Sequence, residues 1–238
     1  MLIDIEGIDG SGKGTQAQRL CDRLNRSGVS STLISFPRYT ETLFGRAVGE
    51  FLDGKFGSLD QVHPFLVSLL FAGDRFESKS MLLDAMRQNL VVVLDRYVPS
   101  NVAHQASKRE GAARRELQER IVELEFHIFG LPRPDLVLLL DLPVAVASEL
   151  IARKSARQYT DRKADIQEAD WGYLERVQNV YLELAARGSE WRTVPCCEGN
   201  RLRSIDEISD AIWRSVEEFR REKMTNDEIR MTDLSVDS

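Results

Sequence analysis

GIDGSGKGT, residues 7 to 15, follows directly on the apolar segment Leu2–Glu6 and leads into an amphipathic stretch. A strand, a glycine-rich turn with a lysine, and a helix, in this order, are the setting in which such a loop binds phosphate. Glycines let backbone N–H groups converge on an anion, and the positive end of the following helix adds to the attraction. Lys13 supplies a full positive charge for the β- and γ-phosphates. The predicted nucleoside triphosphate site comprises Gly7, Ile8, Asp9, Gly10, Ser11, Gly12, Lys13, Gly14 and Thr15.

Position 14 departs from the common form of this loop. Gly14 stands where a Ser or Thr usually binds magnesium, and Thr15 is the next residue. We expect the Thr15 hydroxyl, or a water molecule, to take over that contact. The spelling GKGT resembles that of the adenylate kinases, which also use Mg-ATP.

The loop indicates a nucleotide site but not a reaction, since GTPases, ATPases and kinases all contain it. The chain has no N-K-x-D segment for reading guanine, and Leu94, at a predicted strand end, precedes DRY rather than D-x-x-G. Transport and motor ATPases are expected in longer chains with insertions that bind partners. The sequence therefore favours a kinase of small molecules.

Five short apolar segments predict strands, namely Leu2–Glu6, Ser31–Phe36, Leu90–Leu94, Leu136–Leu142 and Trp191–Cys196. Two of them, LVVVL and LVLLLDL, are nearly continuous in apolar residues, as is typical of strands buried on both faces of a parallel sheet. Long helical stretches separate the strands. The pattern predicts an α/β fold with a doubly wound, five-stranded parallel sheet flanked by helices.

Helical periodicity is clear in five stretches, which are Thr15–Arg26, Pro64–Met86, Arg114–Phe129, Asp170–Ala186 and Ser204–Phe219. No repeat or linker interrupts the pattern, so we expect a single domain over residues 1–221. The remaining residues, 222–238, lack aromatic side chains and periodicity, and are predicted to form a mobile tail.

Composition argues against several classes of function. The net charge of −6 over 238 residues is unsuited to a general nucleic-acid binder, which needs a basic excess. The three cysteines, Cys21, Cys196 and Cys197, form no CxxC pair and are odd in number, which favours a reducing compartment. No apolar run approaches the ~20 residues that span a bilayer, and a strand at Leu2 leaves no room for a signal peptide. We expect a soluble cytoplasmic protein without nucleic-acid or membrane partners.

A second functional segment, DRYVPSNVAHQ, runs from Asp95 to Gln105 directly after the LVVVL strand. Ligands of open α/β sheets bind beyond the carboxyl ends of the strands. Asp95 is therefore expected to hold magnesium through water, and Arg96 to bridge the donor and acceptor phosphates. A surface ion pair that ends a strand is the alternative reading.

Two further segments offer groups for an acceptor nucleotide. In FPRY, after the second strand, the guanidinium of Arg38 is a forked donor suited to phosphate. In FAGDRFE, Phe71 and Arg75 are four residues apart and share a helix face. A ring can stack on a base there while the guanidinium donates to a base carbonyl. Core packing of Phe71 and solvation of Arg75 remain the alternatives.

Taken together and in this order, GIDGSGKGTQ, FPRY, FAGDRFE, DRYVPSNVAHQ and GLPRPDLVLLLDL resemble the thymidylate kinases. The resemblance spans about residues 1–219. It implies a P-loop nucleoside monophosphate kinase with a mobile lid, which transfers the γ-phosphoryl group of Mg-ATP to dTMP. It also implies a homodimer formed through helices around Pro64–Met86.

The resemblance assigns roles residue by residue. Asp9 would meet the deoxyribose 3′-hydroxyl and the acceptor-phosphate region. Arg38 would bind the acceptor phosphate together with Arg96, although some relatives place that arginine one residue later, where this chain has Tyr39. Phe71 would stack on thymine, and Arg75 would donate to a thymine carbonyl. The base pocket would be lined by Ser100, Asn101 and Gln105.

His104 stands where relatives often have an aromatic residue that crowds a ribose 2′-hydroxyl, which leaves open how strictly deoxyribose is selected. The segment 152–170 resembles the family's lid, with arginines at Arg153, Arg157 and Arg162. Gly10 replaces a loop arginine of some relatives, and relatives without it place the catalytic arginine on the lid. We expect Arg153 first and Arg157 second in that role, and Tyr159 near the sugar. The catalytic set is then Asp9, Lys13, Arg96 and Arg153.

Three alternatives stay open. A related kinase could use adenylate or another nucleotide as acceptor, although a purine fits poorly if Arg75 donates to a pyrimidine carbonyl. A regulatory nucleotide-binding module would not need the second phosphate clamp at Arg96. A nucleoside kinase would need a carboxylate base near the sugar, where FPRY offers Arg38 instead.

Overall fold

The structure is a computed structural model that describes residues 1–58, 61–152 and 171–234. Its main sheet consists of β1 Leu2–Glu6, β2 Ser31–Ser35, β3 Val91–Asp95, β4 Leu136–Asp141 and β5 Trp191–Pro195. The strands lie in the order β2-β3-β1-β4-β5, and every neighbouring pair is parallel. The predicted five-stranded parallel sheet is confirmed, with each strand boundary within one residue of its predicted position.

The helices are α1 Lys13–Arg26, α2 Leu43–Leu52, α3 Pro64–Glu77, α4 Lys79–Gln88, α5 Val98–Ala106, α6 Gly111–Val122, α7 Val144–Ala152, α8 Trp171–Ala185 and α9 Ile205–Leu234. A π-helix, Glu123–Ile128, continues α6, and two short strands, β6 Cys197–Glu198 and β7 Arg201–Leu202, pair antiparallel. Across the described ranges, none of the helices is both long enough and apolar enough to cross a membrane.

Apolar clusters cover both faces of the sheet, which explains the continuous apolar runs. Val91 and Val93 of β3 pack in a cluster with residues of α1, α8 and α9. Val92 and Leu94 point the other way, into a cluster with residues of α4, α5 and α6. Alternate side chains of a strand face opposite sides, so every position of β3 needs an apolar residue.

Several helix predictions differ from the structure. The stretch Pro64–Met86 is divided at Ser78, whose N–H donates to the Asp74 carbonyl at 3.2 Å while its own carbonyl accepts from Leu82 at 3.0 Å. Helices α2, α5 and α7 were not predicted. All nine residues of α5 are buried, so no contrast between polar and apolar faces marks it.

The last helix is longer than predicted. α9 continues to Leu234 instead of ending at Phe219, so residues 222–234 are helical where the sequence predicts an irregular tail. Glu, Lys, Met and Arg in that segment favour helix without forming an apolar face. Mobility of residues 222–238 stays a prediction, and residues 235–238 lie outside the described ranges.

Candidate active site

The loop after β1 turns through glycines with positive φ, at 144° for Gly7, 85° for Gly10 and 85° for Gly12. Such angles are strained for residues with a Cβ atom. Gly12 precedes the first residue of α1, and among the residues that the structure describes no side chain caps that helix end. The first N–H groups of α1 are therefore available to an anion, as a phosphate site requires.

Lys13 is buried, and its Nζ donates to the Ile8 carbonyl at 2.8 Å, on the opposite side of the loop. Burial, followed by repulsion from Arg96, lowers the pKa of this lysine to about 8. The nearby carboxylates of Asp9 and Asp95 oppose that shift. The Lys13 ammonium group therefore donates to a neutral carbonyl in the free protein. A bound phosphate would offer it a charged and stronger hydrogen-bond acceptor.

A cavity of about 320 Å³ lies beside the loop, lined by Asp9, Gly10, Gly12, Lys13, Gly14, Thr15, Asp95 and Arg96. It brings together the two predicted magnesium contacts, Thr15 and Asp95. Their hydroxyl and carboxylate oxygens are the donors that Mg²⁺ prefers. A Cβ atom at position 14 would lie only 3.0 Å from Oδ2 of Asp95, so Gly14 leaves room for that carboxylate.

Arg96 lies directly after β3 in a left-handed backbone conformation, with φ of 68°. Its Nη2 pairs with Oδ1 of Asp9 across the cavity. The turn is held by Glu6, a fully buried carboxylate at the end of β1. Glu6 Oε1 accepts from the N–H of Tyr97 at 2.9 Å and of Ser100 at 3.0 Å. These bonds hold Arg96 in a conformation that a non-glycine residue rarely adopts.

Two predicted pocket residues contact the Arg96 guanidinium. Nη1 of Arg96 lies 3.3 Å from the Ser100 hydroxyl and 3.4 Å from Nε2 of His104. The Tyr173 hydroxyl donates to the His104 carbonyl and therefore accepts from Nδ1–H at 3.0 Å. Nε2 is then the acceptor that faces Arg96. Burial, and to a smaller extent the positive charge of Arg96, lowers the pKa of His104 to about 3. The imidazole is therefore neutral at physiological pH.

The predicted base-pocket residues lie on two helices, α3 and α5. Phe71 is half-buried against the cluster around Val67. Arg75 is buried in a bidentate ion pair with Glu125 of the π-helix, at 2.5 and 2.7 Å. Asn101 of α5 donates to the same carboxylate at 2.8 Å. Arg75 is therefore not the solvated helix arginine of the alternative reading.

The structure does not bring all predicted residues into the cavity. Nη1 of Arg38 donates to the Ser78 hydroxyl at 3.2 Å, and Arg38 does not line the cavity beside Lys13. Its backbone N–H is bound by the buried Asp74 at 3.0 Å, which fixes the FPRY segment to α3. Gln105 is fully buried, and its amide oxygen accepts from Lys108 at 2.9 Å. Predictions for Arg153, Arg157, Tyr159 and Arg162 concern residues outside the described ranges.

Sequence reasoning missed the buried carboxylates that hold these groups, chiefly Glu6, Asp74 and Glu125. Each is 0% exposed. The available signal for Glu6 was a charged residue at the end of a strand that is predicted to be buried on both faces. Glu125 had none, because it lies among other acidic and apolar residues of a helical stretch.

Gly10 brings the loop into close contact with α7. A Cβ atom there would lie 2.6 Å from the carbonyl oxygen of Ala147 and 3.1 Å from Cγ1 of Ile151. An arginine at this position would therefore collide with the helix that ends at Ala152, the first residue of the predicted lid segment.

Comparison with known proteins agrees with this arrangement. A family model described as "Thymidylate kinase" matches residues 5–201. The chain is 35% identical over 188 residues to the thymidylate kinase of Mycobacterium tuberculosis (strain ATCC 25618 / H37Rv), covering 79% of this chain and 87% of the relative. It is 35% identical over 226 residues to a probable thymidylate kinase of Thermococcus onnurineus (strain NA1), covering 91% and 97%.

Structural comparison gives the same result. The solved thymidylate kinase from Candida albicans is similar with a TM-score of 0.70 and 26% sequence identity, over 92% of each chain. The family match covers most of the chain, including the loop, the Arg96 turn and the base-pocket helices. The chain therefore belongs to the thymidylate kinase family.

Proposed function

We propose that this protein transfers the γ-phosphoryl group of ATP to dTMP, giving ADP and dTDP. The observation that carries the proposal is one cavity lined by two cations from different elements, Lys13 of the phosphate loop and Arg96 of the turn after β3. A protein that only binds one nucleotide needs the first of these, whereas transfer between two nucleotides needs both.

The chemistry is a direct in-line transfer. A phosphate oxygen of dTMP forms the new bond to the γ-phosphorus, and the bond from that phosphorus to the β–γ bridging oxygen breaks. No general base is required, because the acceptor phosphate is already an anion at neutral pH. Lys13 and Arg96 would stabilise and orient the charged oxygens, which is the main source of rate in phosphoryl transfer.

Magnesium fits the oxygen donors beside the loop. Asp95, through water, and Thr15 would hold the ion, which would neutralise charge on the phosphates of ATP. Asp9, whose carboxylate pairs with Arg96, would keep that guanidinium aimed at the acceptor phosphate and meet the sugar 3′-hydroxyl.

The remaining roles extend the same proposal. Arg153, with Arg157 as the second candidate, would close over the transferring group and exclude water. Arg38 would complete the acceptor-phosphate site. Phe71 would stack on the base. A missing methyl group changes binding by only about 1–3 kcal/mol, so slower turnover of dUMP is expected.

A coupled ADP-release assay with Mg-ATP tests the proposal, with dTMP, dUMP, AMP, dGMP and thymidine as acceptors. Fast turnover of dTMP, slower turnover of dUMP and none of thymidine is the expected result. Preference for a purine monophosphate would reject the base-pocket assignment. ATP binding without turnover of any acceptor would favour a regulatory module.

Two substitutions separate the predicted groups. Arg96→Ala and Arg153→Ala should each lower kcat by about 10³-fold or more if they contact the transferring phosphates. Arg87→Ala is the matched control, because Arg87 is exposed and pairs with Asp84 on its own helix. A loss with Arg157→Ala but not Arg153→Ala would exchange the two lid assignments.

A further inference from the structure

Glu125 joins two residues of the proposed base pocket through one buried carboxylate. Its Oε2 accepts from Nε of Arg75 at 2.5 Å, and its Oε1 accepts from Nη2 of Arg75 at 2.7 Å. Oε1 also accepts from Nδ2 of Asn101 at 2.8 Å. Glu125 is 0% exposed, and Arg75 and Asn101 are each 2% exposed. Because these hydrogen bonds are buried, they restrict the conformations of the Arg75 and Asn101 side chains.

These contacts fix the direction of the Asn101 amide. Its Nδ2 donates to two acceptors, the Glu125 carboxylate and the Ser68 carbonyl, the latter at 3.0 Å. A rotated amide would set its oxygen against both acceptors, which is unfavourable in a buried site. Oδ1 consequently points away from them, and it is buried without a hydrogen-bond partner among the described residues.

Arg75 is restricted in the same way. Nε and Nη2 are used by Glu125, while Nη1 makes no hydrogen bond within the described part of the chain. A guanidinium can only donate, so Nη1 offers a donor and never an acceptor. Ser68, Phe71 and Arg75 are spaced three and four residues apart on α3. The Asn101 amide, the Phe71 ring and the guanidinium therefore lie along one helix face.

We propose that Glu125 is a positioning residue that sets the hydrogen-bond polarity of the base pocket, with Arg75 as donor and Asn101 Oδ1 as acceptor. This inference rests on the proposed function. The 4-carbonyl of thymine or uracil accepts a hydrogen bond, and the adjacent N3–H donates one. Cytosine presents a donating amino group and an accepting N3 in these places, so both contacts would be reversed.

Substitution of Glu125 tests the proposal through base preference. The wild type should prefer dTMP over dCMP in kcat/KM by a factor on the order of 10⁴, as sites built on buried polar groups do. In Glu125→Gln the new amide can donate to Asn101, so only one of the two acceptors that oppose the rotated amide, the Ser68 carbonyl, remains. The dTMP/dCMP ratio should then fall by at least about tenfold.

Glu123→Gln is the matched control, since Glu123 lies on the same π-helix and is exposed. Its ratio should equal that of the wild type. If Glu125→Gln loses thermal stability and kcat but keeps the wild-type ratio, the positioning role is rejected. If the wild type itself fails to phosphorylate dTMP, the proposed function is rejected instead.

A crystal structure of the wild type with dTMP gives a second test that does not depend on the folding of a variant. Nη1 of Arg75 should lie within hydrogen-bond distance of the 4-carbonyl, and Oδ1 of Asn101 within that distance of N3. Both side chains should retain their bonds to Glu125. Separation of either one from Glu125 on dTMP binding would overturn the proposal.

Discussion

At the scale of single residues, Lys13 has a buried ammonium group, and burial lowers its pKa to about 8. Above that pH the free protein loses the charge, whereas a bound triphosphate favours it. ATP binding must then take up a proton. We expect the Kd for ATP to rise by up to about tenfold per pH unit above about pH 8.

Calorimetric titrations from about pH 7 to about pH 10 would measure this dependence. Lys13→Arg should bind with a pH-independent Kd, because a guanidinium stays charged over that range. A flat profile in the wild type would contradict the lowered pKa. The unfolded chain binds more protons than the folded one between the two lysine pKa values, so Lys13 should also make stability rise with pH in that window.

Arg96 carries a backbone cost as well as a functional charge. A left-handed conformation costs a residue with a Cβ about 1–2 kcal/mol, while glycine loses about 0.4–1 kcal/mol through its freer unfolded chain. Arg96→Gly should therefore be more stable than Arg96→Ala by about 0.5–1 kcal/mol. Urea denaturation of the two variants measures the difference, and both lack the guanidinium equally. Equal stability would mean that the backbone relaxes at position 96.

At the scale of elements, the phosphate loop and α7 touch at Gly10. Gly10 and Gly12 share the same φ of 85°, but a Cβ at Gly12 would have no atom of the described residues within 4 Å. Gly10→Ala should therefore cost about 1–3 kcal/mol more than Gly12→Ala, through overpacking against Ala147. The free energy of unfolding of both variants tests this directly. A similar cost for the two would show that only the shared backbone strain matters.

The same two variants, Gly10→Ala and Gly12→Ala, also test the effect of this contact on kcat. Displacement of α7 would shift Ala152, the first residue of the predicted lid segment. Gly10→Ala should therefore lower kcat even where ATP still binds. An unchanged kcat would separate the loop contact from lid closure.

At the scale of the whole molecule, we propose that the protein is a homodimer through α3 and its neighbours. Leu66 and Phe76 of α3 are 56% and 50% exposed, and Ile128 of the π-helix is 67% exposed. Large apolar side chains that are left exposed can serve as contacts with a second copy of the chain. The same helix carries Phe71 and Arg75 on the base-pocket side, so dimer formation would also support that pocket.

Leu66→Glu would place a charge in the proposed contact and should raise the dimer dissociation constant by at least about tenfold. Light scattering over a dilution series measures the mass. Leu90→Glu is the matched control, because Leu90 is 65% exposed but lies just before β3. A monomeric wild type would reject the dimer itself.

The sequence by itself determined the sheet, the phosphate loop and the segments that carry the candidate site. Strands buried on both faces and the GIDGSGKGT loop leave local patterns, because their side-chain requirements repeat over neighbouring positions. Helix α5 left no such pattern, since all of its sides are buried. The break at Ser78, whose hydroxyl accepts a hydrogen bond from Arg38, also escaped prediction.

Only the tertiary structure decided how the functional side chains are held. Glu6 supports the Arg96 turn from 90 positions away in the chain, and Glu125 supports Arg75 from 50 positions away. The contact of Arg38 with Ser78 likewise joins two segments that are distant in the sequence. Such pairs leave no periodic signal, because a buried carboxylate is stabilised by partners that the fold alone brings within hydrogen-bond distance.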